Sequence, residues 1–361
     1  MTAPDPVAAL RADLPAIQRL VYLNTGTAGP LPTPVHGAMV EALDTDLARG
    51  RATGRRFRLL AERRDALREA LATLLGVRPE QCTLTAGTVD GIRRAAGAAD
   101  IATGDVVVTT SMEHPEVLAF LRELAAERAA RLLVVDLDGV GPADVPDAVA
   151  VRLPDRIRLA VVSHVAYATG SLLPVTDLGD LVRGRGGVLI VDGAQAAGAL
   201  AVDVAASGAD FYALPGQKWL CGPEGTGVLV SRDPTPALDI RLPSGVQVAG
   251  LLAALAWRAS YGEAWLARRV ADGAARLHAG LAAVPGITVL TPDRHAGLVS
   301  VRVAGHPSVE VARQLGAAGV LTRDVAAVDA TRLCVAPFTT TEEITSVTRI
   351  LTDLASTGAR R

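Results

Sequence analysis

GVLIVDGAQAAGALAVDVAASGADFYALPGQKWLCGPEGTGVLVS, residues 187–231, decides the fold. Two β-branched apolar runs, GVLIVD (187–192) and TGVLVS (226–231), enclose a short strand ahead of Gly216 and a glycine-rich return. The same alternation runs backward through RLAVVS (158–163), RLLVVD (131–136) and VVVTT (106–110) to a strand at 82–85, with helical stretches between. Near-continuous apolar strands separated by amphipathic helices require a mostly parallel sheet covered on both faces. The fold class is therefore α/β.

Outward from this block, residues 56–75 place Phe57, Leu60, Leu67, Leu71 and Leu74 on one helical stripe. The arginine-rich stretch 49–64 beside it could bind an anion or form a solvated helix face. Beyond Ser231 comes the proline-rich DPTPALDIRLPSG, then helical patterns at 247–259 and 261–283. Short strands near 287–290 and 297–303, a helix at 308–317, a strand near 331–335 and a helix from Thr341 follow. The expected organisation is an N-terminal segment (1–21) packing on the small domain, a large domain (22–240) and a smaller C-terminal α+β domain (241–361), with the junction near 235–245. The 361 residues carry a net charge of -2, which excludes the strongly basic surface expected of a nucleic-acid partner. The longest apolar run, Val248 to Trp257, is too short for the roughly 20 residues that span a bilayer. The N-terminus shows no secretory pattern, so a soluble cytoplasmic protein is expected. Cys82, Cys221 and Cys334 lack metal-site spacing and the histidines do not cluster, so no metal is expected.

The basic residues are unusual in kind. Of the 36, all but Lys218 are arginine, and asparagine occurs once, at Asn24. A GC-rich coding bias explains the depletion, and it makes the surviving lysine a candidate for a required primary amine. A lysine in the loop after a strand could be a solvated surface residue. Unlike guanidinium, however, a partly buried amine can form an imine or release a proton near neutrality. Asp192 ends an apolar strand, with Gln195 three residues on. That aspartate could cap a helix, or be a buried carboxylate that pairs with a pyridine nitrogen. LTAGTVDGI runs from a strand into a helix at Gly87, Thr88 and Val89, whose free N–H groups and hydroxyl suit a phosphate. His114, after VVVTT, could stack on a flat ring or be one more partly buried histidine.

Together these residues resemble the class V aminotransferase superfamily, the fold-type I pyridoxal phosphate enzymes that include cysteine desulfurases, selenocysteine lyases and isopenicillin N epimerase-like proteins. The resemblance runs through YLNTGTAGPLP (22–32), GTVDGI (87–92), EHPEV (113–117), SHVAYATGSLLPV (163–175), VDGAQ (191–195), QKWLCGPEGTGVL (217–229) and TRLCVAPFTTTEE (331–343). It implies pyridoxal 5'-phosphate held on Lys218 as a Schiff base, with Lys218 also moving the α-proton. It further implies that Asp192 holds the pyridinium proton, His114 stacks on the ring, and Gln195 lies near the phenolic oxygen. Gly87, Thr88 and Val89 would take the phosphate. Arg332 would grip an amino-acid substrate's carboxylate, with Arg323 a second anion contact or a surface ion pair, and Asn24 belongs to the substrate-binding set. Thr226 matches a residue that reaches the partner's phosphate, which implies a homodimer with active sites at the subunit interface.

Departures from the pattern accompany the match. Pro215 and Gln217 stand where relatives carry phosphate-binding side chains, and only Gln217 can donate. Tyr167, with Thr169 close by, occupies the region of the phenolic-oxygen ligand, and the 231–247 segment is short. Segment 305–328, where persulfide-forming desulfurases carry a catalytic cysteine, has none. The expected reaction is β-elimination from a cysteine-derived substrate by a carbon–sulfur lyase, with transamination as the alternative. A desulfurase, an epimerase or a non-catalytic cofactor-binding protein ranks behind both.

Overall fold

The computed structural model describes residues 5–235, 238 and 243–358. The chain opens with α1 (Pro6–Ala12), β1 (Val21–Tyr22), α2 (Thr33–Arg49) and α3 (Gly54–Leu75). The central block follows as β2 (Cys82–Thr85), α4 (Thr88–Gly97), β3 (Val106–Thr110), α5 (Pro115–Glu127) and β4 (Arg131–Val135). It continues through α6 (Val145–Ala150), β5 (Leu159–Ser163), α7 (Val175–Gly184), β6 (Val188–Asp192), β7 (Phe211–Pro215) and β8 (Gly227–Ser231). The C-terminal half holds α8 (Gly245–Tyr261), α9 (Glu263–Ala282), β9 (Ile287–Val289), β10 (Leu298–Val303) and α10 (Ser308–Ala317). Last come β11 (Val320–Leu321), β12 (Arg323–Val325), β13 (Ala330–Cys334) and α11 (Thr341–Gly358).

Seven strands form one sheet in the order β2-β8-β7-β6-β5-β3-β4. Pairings from β4 through β7 are parallel, and β8 runs antiparallel to both β7 and β2. The expected mostly parallel sheet is present. Alternation along each strand explains its two covers. On one face Val107, Val161 and Ile190 meet Ile92 of α4 and Leu121 of α5. On the other, Val162, Leu189 and Val191 meet α3, α7 and α8. Chain order reverses between β3 and β5, the position where open α/β sheets leave a crevice beyond their carboxyl ends.

A four-stranded antiparallel sheet, β12-β13-β10-β9, packs against α9 and α11 to form the smaller core. β1 pairs in parallel with β11, tying the start of the chain to this region. Leu10, Leu14 and Ile17 share a core with Trp219, Trp257 and Phe338, and Arg11 pairs with Glu343 at 2.9 Å. The expected junction near 235–245 falls largely on residues 236, 237 and 239–242, outside the described residues. α8, which a division at 240/241 assigns to the C-terminal domain, buries Val248, Leu251 and Ala254 in the core shared with α3 and the large sheet. The stripe on α3 needs correction. Leu67 and Leu71 are fully buried, but Phe57 is 61% exposed because the first turns of α3 extend past the core.

One loop ties the two sheets together. After β5, residues 165–172 project from the large sheet and are held by the smaller one. Thr291 Oγ1 donates to the Thr169 carbonyl at 2.6 Å, and Ser300 Oγ donates to the Ala168 carbonyl at 2.5 Å. The Ala296 N–H donates to the Gly170 carbonyl at 3.2 Å, and the Leu172 N–H to the Arg294 carbonyl at 3.1 Å.

Candidate active site

Two connected cavities lie beyond the carboxyl ends of β3, β5, β6 and β7. The inner one, about 290 Å³, reaches from Asp192 to the start of α4. The outer one, about 730 Å³, opens toward β12 and β13. His114, Tyr167, Gln195 and Lys218 line both.

Asp192 ends β6 and is buried, with Oδ1 accepting from the Ala194 N–H at 2.8 Å. Burial raises its carboxyl pKa, while the charge of Lys218 opposes the rise. At Lys218, burial lowers the ammonium pKa to about 8; Asp192 pulls the other way and Arg332 adds to the lowering. The pair therefore places a readily deprotonated amine and a buried carboxylate along the same cavity wall. Gly193 must be glycine, because a Cβ there would collide with the buried Tyr212 ring.

The other end of the inner cavity is built by the turn from β2 into α4. Gly87 has φ 151°, a conformation that disfavours any side chain. The turn aims the unpaired first N–H groups of α4 into the cavity. Asp90 does not oppose an anion there, because its carboxylate is held by Arg94 at 2.7 Å and by the Ala86 N–H at 2.9 Å. The Thr88 hydroxyl and Gln217 Oε1 are buried without partners, and turning the Gln217 amide presents its N–H instead. Pro215 lines the wall without a donor. These orphaned polar groups, the free helix N-terminus, Asp192 and the Lys218 amine fit pyridoxal phosphate from phosphate to ring nitrogen.

His114 caps α5, its Nδ1 accepting from the Glu116 N–H at 3.3 Å. Its ring meets Tyr167 edge-on, with centroids 5.1 Å apart. Burial, then the charge of Lys218, lowers the His114 pKa, leaving a neutral imidazole on the cavity wall. Gln195 is fixed on both sides, donating to the Gly26 carbonyl at 2.8 Å and accepting from Trp219 Nε1 at 2.9 Å.

In the outer cavity, Arg332 on β13 is 4% exposed. One guanidinium nitrogen donates to the Tyr167 carbonyl at 2.8 Å and another to Thr27 Oγ1 at 3.1 Å, while Nε has no partner. No carboxylate among the described residues pairs with it, so a desolvated cation faces the cavity uncompensated. Arg323, its neighbour in strand register, is exposed and lines the same space.

Three expected site residues line neither cavity of this chain. Asn24 lines neither cavity; its Oδ1 accepts from Thr27 Oγ1 at 2.7 Å and so orients the hydroxyl that contacts Arg332. Thr169 turns back on its own loop, its Oγ1 accepting from the Ser171 N–H at 3.3 Å. Thr226 is fully buried, and its hydroxyl donates to the Pro223 carbonyl at 2.6 Å. In each case a nearby backbone or side-chain partner takes the polar group before the cavity can. Thr27, Ser163 and Glu113 were missed. Thr27 and Ser163 line the cavities, and Glu113 lies buried beneath Ser163. Their signals were slight: a hydroxyl inside YLNTGTAG, one ending an apolar strand, and a carboxylate next to His114.

Cys82, Cys221 and Cys334 are buried and unpaired, and none lines either cavity. Among the described residues no group of three or more histidine, cysteine, aspartate or glutamate side chains could hold a metal. No described helix is long and apolar enough to cross a membrane.

A large sheet with a lysine beyond β7, an aspartate closing β6 and a free helix N-terminus after β2 defines a fold-type I protein, the architecture of pyridoxal phosphate enzymes. The profile described as aminotransferase class-V matches residues 21–239. The chain belongs to the class-V aminotransferase family. It is 32% identical over 222 residues to a probable cysteine desulfurase of Methanothermobacter thermautotrophicus, covering 61% of this chain and 55% of that one. The chain thus spans little more than half the length of the first curated relatives it matches. Among solved structures, a lysine mutant of C-DES with glycine covalently linked to its pyridoxal phosphate superposes with a TM-score of 0.90 at 25% identity, covering 98% of this chain and 100% of that one. The cystine C–S lyase C-DES in complex with its product, cysteine persulfide, gives 0.89 at 25% identity, covering 94% and 99%.

Proposed function

We propose that this chain is a pyridoxal phosphate-dependent lyase that cleaves the Cβ–S bond of a cysteine-derived amino acid. One observation carries the reading: the Lys218 amine lines both cavities, between buried Asp192 and buried Arg332, which has no carboxylate partner among the described residues, with no thiol facing either cavity. When bound, the cofactor supplies an electron sink for the charge that develops at Cα. Asp192 keeps the ring nitrogen protonated, Arg332 grips the substrate carboxylate, and Lys218 Nζ takes the Cα proton. The Cβ–S pair leaves on sulfur, and hydrolysis of the remaining three-carbon fragment gives pyruvate and ammonia. Arg323, beside the apolar wall of Val325, Ala326 and Ala327, suits a substrate with a second carboxylate, such as cystine. The cystine lyase activity named for C-DES supports this choice.

The test is incubation of the cofactor-loaded protein with cystine, S-substituted cysteines and a panel of amino donors. Pyruvate and ammonia in equal amounts are expected. Accumulation of pyridoxamine phosphate without pyruvate would identify a transaminase and sink the lyase reading.

We also infer a homodimer in the cytoplasm. Leu43 and Leu47 of α2 are 54% and 86% exposed, beside the exposed Phe57 of α3. The Arg56–Asp46 pair, at 2.8 Å, ties α2 to α3, and large apolar side chains left exposed on both helices support an association face here. Free thiols suit a reducing compartment. Light scattering should give twice the 37.2 kDa chain mass, and Leu47→Glu combined with Phe57→Glu should shift it to one chain. A monomeric wild type would refute the dimer.

A further inference from the structure

Glu113 is 1% exposed and no cation among the described residues pairs with it. Thr110 Oγ1, at the end of β3, donates to its Oε1 at 2.7 Å, and Ser163 Oγ, at the end of β5, donates to its Oε2 at 2.6 Å. Two short hydroxyl donors converging on one carboxyl are what a buried carboxylate needs to hold its charge. Ser163 lines the inner cavity and is the register partner of Asp192 on β6, one strand spacing of about 4.8 Å away. Glu113 therefore sits behind Ser163, the strand neighbour of the residue that would face the ring nitrogen.

We propose that Glu113 is a positioning residue that acts through Asp192: its buried negative charge strengthens the hold of this end of the cavity on a protonated pyridine nitrogen. The inference rests on the pyridoxal phosphate reading of the site. The physical reason is that a second anion in a poorly solvated pocket stabilises the pyridinium cation and disfavours loss of its proton. The groups that face Glu113 are the Thr110 hydroxyl from β3, the Ser163 hydroxyl and backbone from β5, and the Asp192 carboxylate from β6. Burial raises the Glu113 pKa to about 7; the Ser163 and Thr110 hydrogen bonds oppose the rise and Asp192 adds to it. The charge is therefore present above about pH 7 and lost below it. Glu113→Gln preserves the shape and removes the charge.

The experiment measures binding of pyridoxal phosphate and of its 1-deaza analogue, whose ring carries C–H in place of the nitrogen, to the cofactor-stripped full chain. The wild type should prefer pyridoxal phosphate, and Glu113→Gln should cut that preference about tenfold while leaving analogue binding unchanged. In the wild type the preference should grow as pH rises through about 7, and in Glu113→Gln that growth should be absent. Equal weakening of both ligands in Glu113→Gln would make Glu113 merely structural and overturn the proposal, as would an unchanged preference. Should the glutamine variant not fold, the wild-type series decides, and a preference flat from pH 6 to 8.5 overturns the proposal. Wild-type binding of both ligands with no preference defeats this inference alone, whereas no binding of pyridoxal phosphate defeats the reading of the site itself.

Discussion

Replacing Lys218 with alanine should abolish turnover, by about 10⁴-fold or more, while leaving the fold intact. The size follows from the two tasks assigned to one amine: covalent attachment of the cofactor, and proton transfer at Cα, which by itself contributes about 10²–10⁴-fold. Because Lys218 is the single lysine, borohydride should fix one cofactor per wild-type chain in a peptide containing Lys218, and none in the variant. The pH dependence is set by the same burial. A free lysine at its ordinary pKa of 10.5 is almost wholly protonated at pH 8, but with the pKa at about 8, half of the Lys218 population is free amine. The rate of cofactor capture by the stripped protein should therefore rise with pH through a midpoint near 8. A midpoint above 10 would show that Lys218 is solvated and contradict the site geometry. Sign also predicts a stability trend. A lysine whose folded pKa is depressed costs stability as pH falls from 10.5 to about 8, after which the penalty is constant.

Arg332→Ala should lower kcat/KM by about 10²–10³-fold, the cost of losing a desolvated guanidinium–carboxylate contact. Lysine at this position should not restore it, since a point charge on a flexible stem cannot reproduce the planar fork. Stability should move the other way. Arg332 is buried with an unpartnered Nε and no carboxylate partner among the described residues, so its removal relieves an uncompensated charge. The melting temperature of the cofactor-stripped alanine variant should equal or exceed that of the wild type. A large loss of stability together with lost activity would make Arg332 a structural residue and remove the carboxylate grip from the proposal.

The central strands could be read from sequence because burial on both faces leaves a continuous apolar run, as in LAVVS of β5 and VLIVD of β6. α2 could not, because TPVHGAMVEALDTDLAR buries only Val35 and Ala42 and leaves Leu43 and Leu47 exposed, so its apolar residues mark no single core-facing stripe. β1 and β11 are two residues each and too short for any periodicity. At the site, Lys218, Asp192, Gly87 and Thr88 were legible because their chemistry is tied to local geometry at strand ends and a helix start. Asn24, Thr169 and Thr226 line neither cavity, because a short polar side chain takes the nearest partner and that partner is set by the tertiary structure. Glu113 could not be told from a solvated glutamate, since nothing local to EHPEV indicates that Thr110 and Ser163 close over it.

The loop at 165–172 gives the arrangement its mechanical character. Its backbone is fastened to Thr291, Arg294, Ala296 and Ser300, and the Tyr167 carbonyl at its tip receives the Arg332 guanidinium. If Arg332 grips the substrate as proposed, the ordering cost of that grip is met when the chain folds, so little entropy would remain to be lost on binding. The two sheets form one preassembled vice, its jaw spacing fixed by hydrogen bonds to the loop backbone. On the proposed lyase reading, discrimination among substrates would then depend on how each fills a fixed gap, and a longer thiol substituent would have to fit the space beside Arg323.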